Sequence, residues 1–273
     1  MQGHRLIGSG KWTNRRIALA LVLALAAVSP VWVWQAAPAS KAAKPAAKAA
    51  VSTDPIVAGF AKLGASGTGS VADAVDQVVG KRGYLSHDMQ SRVGAKSFVG
   101  RAATALVKPA SGEAAGPGLA AKHSVEMIDE ANPGDVGVIV MEGTLDVAAI
   151  GNLMATAAKV RGMAGMVLDG AVRDIPEIRE IGLPVFARSV SPGTAVSRYA
   201  SVAKNIPVES GGVTINPGDI IVAGEDGVVV VPKDRAAEVL KKAQELDDRS
   251  DKMVPYIKQF KSLQKAIDKF KYI

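Results

Sequence analysis

Residues 151–174 read GNLMATAAKVRGMAGMVLDGAVRD, which sets out a helix, a stop, a strand and a charged pair in succession. Gly151-Asn152-Leu153-Met154-Ala155 opens a helix that runs to about Arg161, and Gly162 supplies its stop, because glycine adopts the left-handed conformation that ends helices without steric cost. A glycine ahead of a helix leaves the first backbone N–H groups accessible. The helix dipole adds positive potential there, so a carboxylate can sit on Gly151, Asn152, Leu153 and Met154. A strand then spans Met163 to Leu168, followed by Asp169-Gly170-Ala171-Val172-Arg173-Asp174. Arg173 offers a planar fork for a carboxylate, and Asp174 beside it offers hard oxygen to a divalent cation such as Mg²⁺. The pair could hold both ends of an α-keto acid. Plainer readings stand beside this one. Asp174 with Glu177 fits a capping box for a short helix at Ile175 to Ile181, Asn152 is a good N-cap by itself, and Arg173 can be a surface ion-pair partner.

Outward from this stretch, one element recurs. Asn132-Pro133-Gly134-Asp135 runs into VGVIV, and Asn216-Pro217-Gly218-Asp219 runs into IIVAG. Pro then Gly suits the central positions of a type II turn, so each motif launches a buried strand. Ser97 to Val107, GMVLDG, PVFAR, IPVES and GVVVVP add further short strands with few helices between them, which predicts a β-rich α/β domain rather than a doubly wound sheet. Ser70 to Val75 reads as a capped helix start and residues 108–121 as a loop. From Lys233 onward the chain reads as helical and charged. There Ile257, Phe260, Leu263, Ile267 and Phe270 recur at three- and four-residue steps, a stripe for packing on the body or a neighbouring subunit, or for lying on a membrane surface.

The chain has 273 residues, 48% of them hydrophobic, enough for one sizeable domain with appendages. Its formal charge of +7 is local: residues 1–52 hold seven Lys and Arg and no acid, and the rest of the chain balances 26 basic against 26 acidic residues. The body therefore carries no electrostatic footprint for DNA or RNA. Arg15-Arg16 precede the apolar run Ile17 to Val28, and small residues including Ala37-Pro38-Ala39 follow, as in a secretory signal. Extended to Trp34, the run reaches about 18 residues, enough for an uncleaved transmembrane anchor. The Arg pair also admits a twin-arginine export route. The expected division is a signal peptide or anchor over 1–39, an Ala/Lys/Pro linker over 40–53, a catalytic domain over 54–240 and a helical extension over 241–273. The domain would lie outside the cytoplasm, touching a membrane only through an uncleaved N-terminal segment. With no cysteine, disulfides and thiol chemistry are excluded.

GNLMATAAKVRGMAGMVLDGAVRD, with VESGGVTINPGDIIVAGEDGVVVVP after it, strongly resembles the 4-hydroxy-4-methyl-2-oxoglutarate aldolases and the related RraA-like regulators of ribonuclease E activity. The resemblance extends upstream through SVADAVDQ and downstream to SLQKAIDKF, roughly residues 68–270. It implies a β/β/α swivelling-type domain, a homotrimer and metal-dependent pyruvate chemistry, with Mg²⁺ as first choice of metal and Mn²⁺ as second. By this similarity Arg173 binds the substrate carboxylate, Asp174 holds the metal, and the backbone from Gly151 to Met154 cradles the carboxylate. The metal would polarise the keto oxygen and stabilise a pyruvate enolate, the species shared by aldol cleavage and oxaloacetate decarboxylation. The alternative is a noncatalytic binding protein like the ribonuclease regulators. A third label in the family, menaquinone methyltransferase, is not supported, since no glycine-rich nucleotide loop stands in a βαβ setting.

One departure is informative. The aldolases carry an acid at the position of Asn152, where it orients the water that removes the substrate hydroxyl proton. Asn152 is neutral and cannot be that base. Cleavage needs the proton removed and decarboxylation does not, so decarboxylation is expected to survive better. Glu225 and Asp226 read as a turn between strands, Glu209 and Glu142 as strand ends, and His87 and His123 as isolated.

Overall fold

The computed structural model describes residues 53–64, 67–95 and 97–271. Helices α1 (Pro55–Lys62) and α2 (Thr68–Val79) lead into strands β1 (Gln90–Val93) and β2 (Phe98–Pro109), then α3 (Lys122–Glu130), β3 (Val136–Met141) and β4 (Ala148–Ile150). Helix α4 (Asn152–Val160), β5 (Gly165–Val172), α5 (Ile175–Ile181) and β6 (Val185–Val190) follow. Strands β7 (Tyr199–Lys204), β8 (Val208–Ser210), β9 (Val213–Ile215), β10 (Ile220–Gly224) and β11 (Gly227–Val231) precede α6 (Ala236–Phe260) and α7 (Leu263–Phe270).

The main sheet runs β1-β6-β5-β3-β2-β10-β11, with β4 beside β5 and β7 beside β2. It nearly closes into a barrel, because residues 83–85 hydrogen-bond to β11 (Val230 N–H to Gly83 O, Leu85 N–H to Val228 O) just before the chain enters β1. This is the β-rich α/β architecture expected. Alternation sorts the side chains. Val136, Val138, Val140, Val167, Ile221 and Val230 fill the interior with Phe186, whose ring meets Phe98 edge-on at 5.4 Å. Ile139, Met141, Met166 and Leu168 point outward under α3, α4 and α5. Ile220, Val222, Val229 and Val231 face α1, α2 and α6. Strands covered on both sides must be apolar throughout, which is why VGVIVM and IIVAG are continuous hydrophobic runs.

Both Asn-Pro-Gly-Asp turns form as read. Gly134 and Gly218 take φ of 90° and 86°, which an L side chain resists. Each motif also closes on itself, the Asp135 and Asp219 carboxylates accepting the N–H of Asn132 and Asn216 at 2.8 Å.

Four readings change. Helix α2 begins at Thr68 behind Gly67 with no side-chain cap, so Ser70 is not its start. Strand β5 runs to Val172 rather than ending at Leu168. The C-terminal stripe is divided: Lys261 turns left-handed at φ 47°, and the Ser262 hydroxyl caps α7 by accepting the Lys265 N–H. The transmembrane expectation is corrected, since among the described residues no helix is long and apolar enough to cross a membrane. The apolar run Ile17–Trp34, on which the signal and anchor readings rested, lies outside the described residues, and no sign of a signal peptide is found among those described.

Candidate functional site

Strands β4 and β5 are parallel, with Ala148 opposite Ala171 and Ile150 opposite Val172, so they end side by side. The residue after β4, Gly151, therefore meets those after β5, Arg173 and Asp174. The Arg173 N–H donates to Ile150 O at 3.2 Å and fixes this junction. Gly151 is the N-cap of α4 and Asp174 that of α5, so two helix starts and two strand ends converge.

Asp174 adopts φ 59°, ψ 42°, a left-handed backbone that costs a non-glycine residue about 1 kcal/mol. Its carboxylate makes no cap to its own helix, so the capping box with Glu177 does not form. Instead Oδ2 accepts the N–H of Asn152 at 2.9 Å, the first residue of the other helix. Arg173 Nε stands 3.8 Å from the same oxygen. A β-carbon at Gly151 would lie 2.4 Å from Asp174 Oδ2 and 3.0 Å from Arg173 Nε. Gly151 has φ −128°, a conformation open to any residue, so it is the space and not the backbone that calls for glycine.

The predicted site residues are thus brought together, with one revision. The Asn152 N–H is already occupied by Asp174, which leaves the N–H groups of Leu153 and Met154, without partners among the described residues, for an incoming anion. The Leu153 side chain is 81% exposed and Met154 packs on the core, so only their backbone faces this shelf. Arg173 and Asp174 keep 40% and 33% of their side chains in solvent.

The donor chemistry fits a small hard cation. Among the described residues no group of three or more His, Asp and Glu could hold an ion, so the chain offers Asp174 as a lone carboxylate, anchored through one oxygen. Mg²⁺ is bound in this way, through one or two carboxylates with water or substrate completing the octahedron.

A second polar network escaped the sequence reading. Asp169, buried in β5, accepts Arg188 Nη1 through Oδ1 at 2.9 Å and the Gly211 N–H through Oδ2 at 2.7 Å. Arg188 Nε also reaches Asp88 Oδ2 at 2.9 Å. Burial pushes the Asp88 carboxyl up, but the Ser86 hydroxyl and the Arg188 guanidinium outweigh it and hold the pKa below the usual carboxylate range. The sequence reading ended the strand at Leu168 and so left Asp169 outside it, whereas β5 carries it to Val172. His123 is not isolated either: Nδ1 lies 2.9 Å from Glu126 Oε2, which also pairs with Lys204. His87 and Asp226 instead line a cleft of about 470 Å³ with Tyr84 and Arg82, whose guanidinium stacks 4.6 Å from the Tyr84 ring. Glu225 and Asp226 form the turn joining β10 to β11, as read. Glu209 lies within β8 and contacts Thr214, while Glu142 pairs with Lys108.

The fold and this junction define an α/β protein with a nearly closed sheet and a guanidinium–carboxylate pair where two strands end. The chain belongs to the RraA-like family, whose model, described as Aldolase/RraA, matches residues 68–230. It is 42% identical over 116 residues to a protein of Halalkalibacterium halodurans that bears a provisional 4-hydroxy-4-methyl-2-oxoglutarate aldolase name, covering 42% of this chain and 54% of the relative. The chain thus spans about half the length of that curated relative. Among solved structures, an uncharacterized protein from Pseudomonas syringae pv. tomato matches with TM-score 0.66 and 29% identity over 77% of this chain and 96% of its own. An unusual member of the RNase ES inhibitor RraA family from Streptomyces coelicolor matches with TM-score 0.62 and 26% identity over 72% of this chain and 93% of its own.

Proposed function

We propose that the protein is a divalent-metal-dependent carbon–carbon lyase acting on small keto acids derived from pyruvate. The observation that carries the reading is the Asp174 carboxylate, held on the Asn152 N–H beside the Arg173 fork, at an open junction with free N–H groups. Arg173 pairs with the substrate carboxylate, and the N–H groups of Leu153 and Met154, at the positive end of α4, face the same anion. Asp174 would hold the divalent cation, which would supply Lewis-acid polarisation of the keto oxygen. In oxaloacetate the bond to the departing carboxylate breaks, carbon dioxide leaves, and its electron pair becomes the enolate that is protonated to pyruvate. In 4-hydroxy-4-methyl-2-oxoglutarate the hydroxyl proton must leave first, and the Asn152 amide cannot take it. Decarboxylation is therefore the faster reaction.

The family resemblance also supports a homotrimer, and Leu153 and Val160, 81% and 82% exposed on α4, form an apolar surface that a neighbouring copy would cover. Pyruvate release from a panel of keto acids, by the wild type and by Asp174→Ala, with and without EDTA, tests the lyase reading. Equal rates in all conditions would leave the noncatalytic binding protein as the answer.

A further inference from the structure

We infer that Asp174 is positioned by two backbone features of α4, the absent side chain of Gly151 and the N–H of Asn152, and that these set its affinity for a divalent cation. The inference rests on the proposal that Asp174 holds the metal. A residue opening a helix ordinarily turns its carboxylate onto that helix's own N–H groups. The left-handed backbone of Asp174 directs the carboxylate across to α4 instead, where Oδ2 meets the Asn152 N–H at 2.9 Å. That position exists only because Gly151 lacks a β-carbon, which would stand 2.4 Å from Oδ2, inside van der Waals contact. With Oδ2 tethered, Oδ1 is the oxygen left for a cation. Without the tether nothing holds the carboxylate at that position. Gly151 and Asn152 are positioning residues here, and they act through space and backbone rather than through a side chain.

Two substitutions remove the tether by different routes. Gly151→Ala fills the space while its backbone remains allowed. Asn152→Pro deletes the N–H at the first helical position, where proline is well tolerated, and the extended Gly151 suits a following proline. Asn152→Ala keeps the N–H and is the contrast. On the purified full chain, Mn²⁺ titration followed by electron paramagnetic resonance should show affinity falling about tenfold or more in Gly151→Ala and Asn152→Pro. It should stay within about twofold in Asn152→Ala, with metal-free thermal unfolding marking each variant as folded. Amide exchange by NMR supplies a readout independent of metal. The Asn152 N–H, unprotected in an ordinary helix start, should exchange about tenfold slower in the wild type than in Gly151→Ala or Asp174→Ala. Wild-type affinity in both tether variants, or a wild-type Asn152 amide as fast as in Asp174→Ala, overturns the inference. A protected Asn152 amide in a wild type that binds no Mn²⁺ overturns the lyase reading while upholding the tether.

Discussion

Arg188 Nη1 lies 2.9 Å from Asp169 Oδ1, and through this pair a strand that is otherwise apolar along its buried length is tied to a guanidinium that also holds Asp88. Removing the cation while leaving the carboxylates is costly because Asp169 stays buried with its charge. Arg188→Leu should lower stability by about 2–4 kcal/mol, since the pair is only partly exposed and screening reduces it modestly. Asp88 adds a pH dependence. Its folded pKa is depressed, so its contribution is complete above the unfolded value near 3.8 and disappears as pH falls through the lower folded value. Denaturant melts of wild type and Asp88→Asn should converge in acid, separate as pH rises through the depressed folded value towards 3.8, and keep a constant offset above it. Parallel curves would show that Asp88 is not part of the acid response.

Asp174 combines a left-handed backbone with the carboxylate to which the proposed function gives the metal. Asp174→Ala and Asp174→Gly should both lose metal-dependent activity, but the glycine variant should be more stable than the alanine variant by about 1 kcal/mol, because only glycine is at ease at φ 59°. Thermal melts of the two variants provide the comparison.

On the proposed lyase reading, Asn152 sets the ratio of the two reactions. Asn152→Asp places a carboxylate in the first turn of α4, where the dipole favours it, and supplies the missing base. Retro-aldol turnover should rise about 10²-fold relative to oxaloacetate decarboxylation. Steady-state assays with both substrates measure the ratio, and an unchanged ratio would remove Asn152 as its determinant.

Leu168 is fully buried under the helices that carry the site. Leu168→Ala should cost about 2–5 kcal/mol in urea unfolding through transfer and cavity terms.

What could be read from the sequence was local. The Asn-Pro-Gly-Asp turns and α4 with its Gly162 stop are written within a few residues, and the structure has them where the sequence put them. Misreadings came from partners distant in the chain. Asp169-Gly170 looks like the end of a strand because its reasons for being inside, Arg188 and Gly211, come much later. The Asp174-to-Glu177 spacing spells a capping box, and only the left-handed turn at Asp174 shows that the cap belongs to another helix. The stripe from Ile257 to Phe270 reads as one run, whereas the helix breaks at Lys261 and restarts on the Ser262 cap.

Strand β2 takes β10 along its first residues, from Phe98 to Arg101, and β3 beyond them. On a ribosome this imposes an order. The segment from Phe98 to Arg101 emerges long before Ile220, so a nascent chain carries an unmatched strand edge until the last hairpin is made. Closure of the barrel therefore waits for β10 and β11, near the far end of the chain.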